Sequence, residues 1–192
     1  TYNSGSGGSI VFDGSNDYVL YPNSTALKVT TLSVSTWFYI GQFPSSFSQY
    51  RVINHQQSNI KAWGYQLGRA DYAYGGPSTE MVMFCHSNNG VGVKNLVDPT
   101  FLSVNRWYHG GFCNDGTTLK IYLNGVMTNS TAALGFQDNN ISANLAIGVT
   151  AEGLNQFFWN GRIAFASIYN RALTDAEFLQ NYNALKSRFN LT

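Results

Sequence analysis

The chain has 192 residues and a formal net charge of +1, with 11 Lys and Arg against 10 Asp and Glu. That length suits one domain with a sizeable core, and so few, scattered cations exclude the basic footprint that nucleic acid or an anionic membrane requires. Charged residues are only 11% of the chain, against roughly a quarter in average globular proteins, so Asn, Ser, Thr, Gly and Gln must make the surface polar.

Such a surface suits extracellular, cell-wall or virion proteins and leaves little for general acid–base work. Apolar residues make up 44% and aromatic residues 15%. No apolar run approaches eighteen residues, which excludes a transmembrane helix. The opening TYNSGSGGS is small and polar; it predicts a flexible segment over residues 1–8 and reads as the start of a mature or excised chain.

Strand candidates follow in chain order, separated by Gly, Asn, Pro and Ser clusters. They are 9–12, 18–21, 32–40, 51–55, 63–68, 81–87, 107–114, 118–123, 145–148 and 161–169. In 32–40, Leu32, Val34, Thr36, Phe38 and Ile40 share one side, with Ser33, Ser35, Trp37 and Tyr39 on the other. Aromatics on the second face predict a strand covered on both sides, by a long loop or a facing sheet. Asp13-Gly14, Asp115-Gly116 and Asn124-Gly125 mark turns, the last two carrying the hairpin signal. About ten successive strands without crossover helices imply antiparallel pairing in a sandwich or jelly roll.

At Thr174 the period changes. Thr174 and Glu177 form a capping box and Asp175 adds negative charge to the first turn. Phe178, Tyr182, Leu185 and Phe189 then fall on one helical stripe, predicting one short helix over 174–189 whose role is packing. Cys85 and Cys113 lack metal-binding spacing, and whether they pair stays open. His55, His86 and His109 share no zinc-ligand spacing.

Five segments, GSIVFDGSNDYV, LSVSTWFYI, NRWYHGGFCNDGTTLKIYLNG, LAIG and NGRIAFASIYNRALTDAEF, in this order resemble the motif series of laminin-G-like domains of the concanavalin A-like lectin/glucanase superfamily. The resemblance covers nearly the whole chain, as one domain over 1–192. It implies an all-β fold, a two-sheet antiparallel jelly-roll sandwich with one short C-terminal α-helix. The first and last strands would be adjacent, the helix at one edge, and Trp37 and Trp107 internal. The C-terminal IYNRALT…LQNYNALKSRF is similar to versions in bacteriophage structural proteins and large bacterial surface proteins.

The superfamily holds lectins, adhesion modules, glycosidases, lyases and capsid or fibre modules, so the site must decide. Glycoside hydrolysis needs two facing carboxylates; the three Glu residues, Glu80, Glu152 and Glu177, include one assigned to a helix cap. A lyase would need a set such as Tyr65, Gln66, Arg69 and His86, which nothing in their spacing demands. Asp13 and Asp17 are calcium candidates, but Ala164 stands where calcium-binding relatives often carry an acid. Both Asp residues fit better as turn residues.

The glycan reading rests on Trp63, Tyr65, Arg69, Asp71, Tyr72, Tyr74 and Trp159 as an aromatic and polar platform, or equally as interface residues. Phe158 is expected to enter the core. The expectation is a non-catalytic recognition or assembly module without a cofactor, on a virion or cell surface. Other virion or surface proteins, copies of itself and cell-surface glycans are the expected partners, with neither nucleic acid nor membrane insertion. A phage structural component, such as a capsid decoration or tail fibre domain, comes first. A lectin-like carbohydrate-binding domain comes second and a polysaccharide-degrading enzyme third.

Overall fold

The computed structural model describes residues 1–5, 8–45, 48–58, 61–68, 79–86, 93–133, 142–151 and 156–191; the side chains of 58, 61–62, 82–86 and 93 are outside the description. The described strands are β1 (Tyr2–Asn3), β2 (Ser9–Asp13), β3 (Val19–Tyr21), β4 (Leu32–Ile40), β5 (Tyr50–Ser58), β6 (Lys61–Leu67), β7 (Met81–His86), β8 (Val93–Val97), β9 (Arg106–Asn114), β10 (Thr118–Leu123), β11 (Val126–Ala132), β12 (Leu145–Ile147) and β13 (Asn160–Tyr169). They pair antiparallel into a seven-stranded sheet, β1-β2-β13-β4-β9-β10-β11, and a six-stranded sheet, β3-β12-β5-β6-β7-β8. The early strand β2 lies beside the last strand, β13.

Local sequence accounts for the turns. Asn124 (φ 50°) and Gly125 (φ 81°) make the two-residue loop between β10 and β11, the positive-φ pair of a type I′ hairpin. β1, β8 and β11 are additions to the ten strand candidates. β1 also corrects the flexible-segment expectation: Tyr2 pairs with Ile10 and Asn3 with Ser9.

The core lies between the sheets. β4 contributes Val34, Phe38 and Ile40, and β9 and β10 contribute Phe112 and Ile121. Ile53, Trp63, Tyr65, Leu67 and Met81 face them from the other sheet. The sheets interdigitate closely at Gly110: a Cβ there would strike the Tyr65 hydroxyl and lie 2.8 Å from the Phe38 ring. Glycine at this position lets Tyr65 reach across the sandwich.

The second face of β4 is covered by the C-terminal segment rather than by a loop or sheet. Helix α1 (Asp175–Leu185) starts at Thr174 with both halves of the capping box formed, and continues as a 3-10 turn over Lys186–Phe189. Phe178 stacks on Tyr122, centroids 3.7 Å apart. Phe189 stacks on Trp37 at 4.4 Å and meets Trp107 at the same distance. The helix therefore covers the outer face of the seven-stranded sheet, correcting the expectation of an edge position, and Trp37 and Trp107 belong to this layer. Full burial of a Phe or Trp side chain contributes roughly 2–3 kcal/mol, so the stripe accounts for docking. Cys113 is a free, buried thiol packed with Tyr122, Leu173 and Phe178 beneath the helix, whereas Cys85 belongs to the other sheet.

Candidate functional site

The outer face of the six-stranded sheet differs in chemistry from the helix-covered one. On β5 and β6, Ile53, His55, Trp63 and Tyr65 turn toward the core sheet, so the alternation places Asn54, Gln56 and Gln66 outward, and a bulge between Arg51 and Ile53 brings Arg51, the cross-strand partner of Gln66, to the same face. These four are polar and yet buried: Asn54 and Gln66 are 0% exposed, Gln56 5% and Arg51 6%. Asn54 donates from Nδ2 to the Val149 carbonyl (2.6 Å) and accepts from the Ala151 amide (3.0 Å), which ties the segment after β12 over the sheet. Gln66 donates to Gln49 Oε1 (2.6 Å) and to the Gly68 carbonyl (2.9 Å). The Arg51 amide donates to the Phe157 carbonyl, and its guanidinium lies 5.6 Å from the Phe157 ring centroid. Burial lowers the Arg51 pKa to about 9 by desolvation, which leaves it cationic at neutral pH.

Three acceptors on or beside this face lack a donor among the described residues: Gln56 Oε1, Gln66 Oε1 and Glu80 Oε2. Glu80 directly precedes β7, and its carbonyl accepts from Gly68. An unmet buried acceptor costs about 1–3 kcal/mol. Gln66 pairs with Arg51 across the ladder, and Gln56 lies five residues farther along β5, about 16 Å at the usual strand rise. Phe157 has φ +59°, whereas the other positive-φ non-glycine residues among those described are all Asn. A bulky residue held in that region costs on the order of 1 kcal/mol. The site is thus an extended, acceptor-rich polar strip with one guanidinium, suited to a ligand that brings hydrogen-bond donors.

Six described carboxylates are held in turns, caps or loops. Asp13 accepts from the Ser15 (2.7 Å) and Asn16 (3.2 Å) amides, whose hydrogen bonds lower its pKa. Asp17 accepts from the Asp13 amide at 3.1 Å, so both calcium candidates do serve the turn. Asp98 accepts from the Thr100 amide and the Thr128 hydroxyl, and Asp115 from Thr117 and Thr118. Asp175 accepts from Tyr122 Oη, and Glu177 from Arg171 and the Thr174 amide. Among the described residues, no group of three His, Cys, Asp or Glu is arranged to hold a metal ion.

The structure redraws the expected platform. Trp63 (1% exposed), Tyr65 (0%) and Trp159 (0%) are core residues. Trp159 stands edge-on to Phe38 and Tyr50, so none of the three offers a ring face to a ligand. Arg69, Asp71, Tyr72 and Tyr74 lie outside the described residues. Phe158 does not enter the core; it packs on Ala146, Val149 and Ala151 outside the six-stranded sheet. Tyr65 and Gln66 point to opposite faces, which breaks the lyase set. Arg51, Asn54 and Gln56 were missed; the alternation in RVINHQQ is a readable signal for Asn54 and Gln56 once one face is assigned to the core, whereas Arg51 reaches that face only through the bulge before Ile53.

No curated protein sequence matches the chain significantly. Among solved structures it is similar to domain 4 of AbnA, a GH43 extracellular arabinanase from Geobacillus stearothermophilus, in complex with arabinotriose. That likeness has TM-score 0.75 and 19% identity, covering 95% of this chain and 80% of the other. The binding domain of Paraclostridial Mosquitocidal Protein 1 is similar with TM-score 0.72 and 17% identity, covering 96% of this chain, which spans only 45% of that one. The native heptameric SAP-like pentraxin from Limulus polyphemus gives TM-score 0.56 at 18% identity, over 88% and 83% of the two chains. Residues 13–178 match the family model described as the concanavalin A-like lectin/glucanases superfamily, a laminin G type, and the chain belongs to that family.

Proposed function

We propose that the domain is a non-catalytic recognition module that binds a neutral oligosaccharide along the outer face of its six-stranded sheet. The observation that carries this reading is the set of unmet acceptors, Gln56 Oε1, Gln66 Oε1 and Glu80 Oε2. Sugar hydroxyls supply the donors these atoms lack, and the strip length suits several sugar units in a row. A charge-poor surface favours a neutral ligand. The commitment of six carboxylates to turns, caps and loops speaks for binding rather than hydrolysis. The likeness to an arabinanase domain in complex with arabinotriose makes that trisaccharide the first probe, and a secreted or surface location follows from the same reading.

Titration calorimetry with arabinotriose, backed by a glycan array, tests this. The wild-type domain should bind, and Gln56→Leu and Gln66→Met should each weaken binding about fivefold or more, the value of a lost hydrogen bond near 1 kcal/mol. Unchanged affinity in both, with circular dichroism showing intact fold, would sink the site assignment.

A second reading is assembly, including the virion role expected from the C-terminal segment. It is favoured by Tyr18, Leu20 and Tyr21, about half exposed beside or within the short edge strand β3. Light scattering after size-exclusion chromatography separates the two, since assembly requires a stable oligomer and recognition does not.

A further inference from the structure

The seven-stranded sheet parts at one seam, between β2 and β13. β2 pairs with β13 only from Asp13↔Asn160 to Ile10↔Ile163. Beyond Ile163, where a bulge breaks the register, β13 continues to Tyr169 paired with β4 alone among the described strands. A bulge bends its strand and re-aims side chains, and here the divergence leaves a groove of about 430 Å³. Its floor is the edge of the core, with Phe12, Val19, Ile147 and Ile163 from both sheets. Ile10 faces the core side of its strand and is still 41% exposed. The volume lies in the range of small-molecule sites, which are mostly apolar with a few placed polar groups.

Besides the Tyr2 hydroxyl, which lies against Gly8, two polar groups stand at this groove. Ser9 lines it and is only 4% exposed, yet no described residue bonds its Oγ. Arg188 lies over the Phe165 ring at 4.8 Å and donates from Nη2 to the Gly8 carbonyl at 2.9 Å, which fixes the guanidinium beside Ser9. The lining holds this one cation and no carboxylate. An apolar slot between β2 and β13, lined also by a guanidinium and an unsatisfied hydroxyl, matches an amphiphile with an anionic head.

We propose that this seam is a binding site for a small alkyl carboxylate, its chain between β2 and β13 and its head at Arg188 and Ser9. The site is separate from the outer face of the six-stranded sheet. Arg188 supplies a charge-assisted bond to the carboxylate, and Ser9 Oγ–H donates a second.

Octanoate and 1-octanol, used below micelle-forming concentration, probe the site by calorimetry and thermal shift on the intact chain. Octanoate should bind once per chain, raise Tm and exceed 1-octanol in affinity about tenfold, the value of a charge-assisted hydrogen bond. Arg188→Gln should bring the two ligands level. Ser9→Ala should weaken octanoate several-fold while leaving Tm of the free protein unchanged or higher, which a purely structural serine would not do. Ala166→Phe should fill the groove and abolish both. Equal affinity of the two ligands for the wild type, no binding of either, or octanoate binding that survives Ala166→Phe overturns the proposal.

Discussion

The two outer faces of the sandwich follow opposite rules. The seven-stranded sheet buries Trp37, Trp107, Tyr122 and Cys113 under a capped helix, and its polar groups are largely tied: Ser35 Oγ meets His109 Nε2 at 2.9 Å and Ser33 accepts from the Leu173 amide at 2.8 Å. The six-stranded sheet buries Arg51, Asn54, Gln56 and Gln66 instead and leaves acceptors unmet. One face contributes stability by apolar burial; the other gives up some of it to keep hydrogen-bonding capacity inside the fold. Binding capacity should therefore be separable from stability by mutation.

The largest expected effect is on the helix-covered face. Phe178→Ala removes a fully buried ring stacked on Tyr122 and should cost about 3–5 kcal/mol in urea unfolding. Acid should act on the same face. Burial lowers the His109 pKa from 6.5 to about 4, so its contribution is complete above pH 6.5 and is lost as pH falls toward 4. The total is about 3 kcal/mol. His109→Gln should flatten that part of a pH–stability curve; an unchanged slope would refute the assignment. The Glu177 carboxyl, held near a pKa of about 2 chiefly by Arg171, loses its contribution in a lower window, as pH drops from 4.5 toward 2. Smaller still, Thr174→Ala removes the cap and should cost about 1 kcal/mol, read as a shift in Tm. No loss is expected on the opposite face: Gln56→Leu removes a buried acceptor that has no bond to lose and should raise stability by about 1 kcal/mol, while weakening arabinotriose. A large loss of stability there would erase the contrast between the faces.

Much of the fold was legible because periodicity reports burial directly. The alternation in 32–40, the Asn-Gly turn and the Thr174 to Glu177 box each encode a local geometry that the tertiary structure keeps. The site was less legible. Trp63 and Tyr65 belong to the expected platform, but their strand parity turns them inward, and the side that faces the core is set by the pairing with β5 and β7 rather than by the local stretch. Arg51 and Gln66 are adjacent only through that pairing, fifteen positions apart in the chain. The cover over β4 was misread for a similar reason: an aromatic second face announces a partner without naming it, and the partner is the helix some 140 residues later.

The meeting of Tyr65 with Gly110 makes the two sheets a keyed joint. With the hydroxyl of one seated where the other has no side chain, neither sheet can slide along its neighbour without a collision. A ligand pressing on the outer polar strip therefore meets a rigid plate, and any chain with a side chain at position 110 must carry a smaller one at 65 to close the same joint.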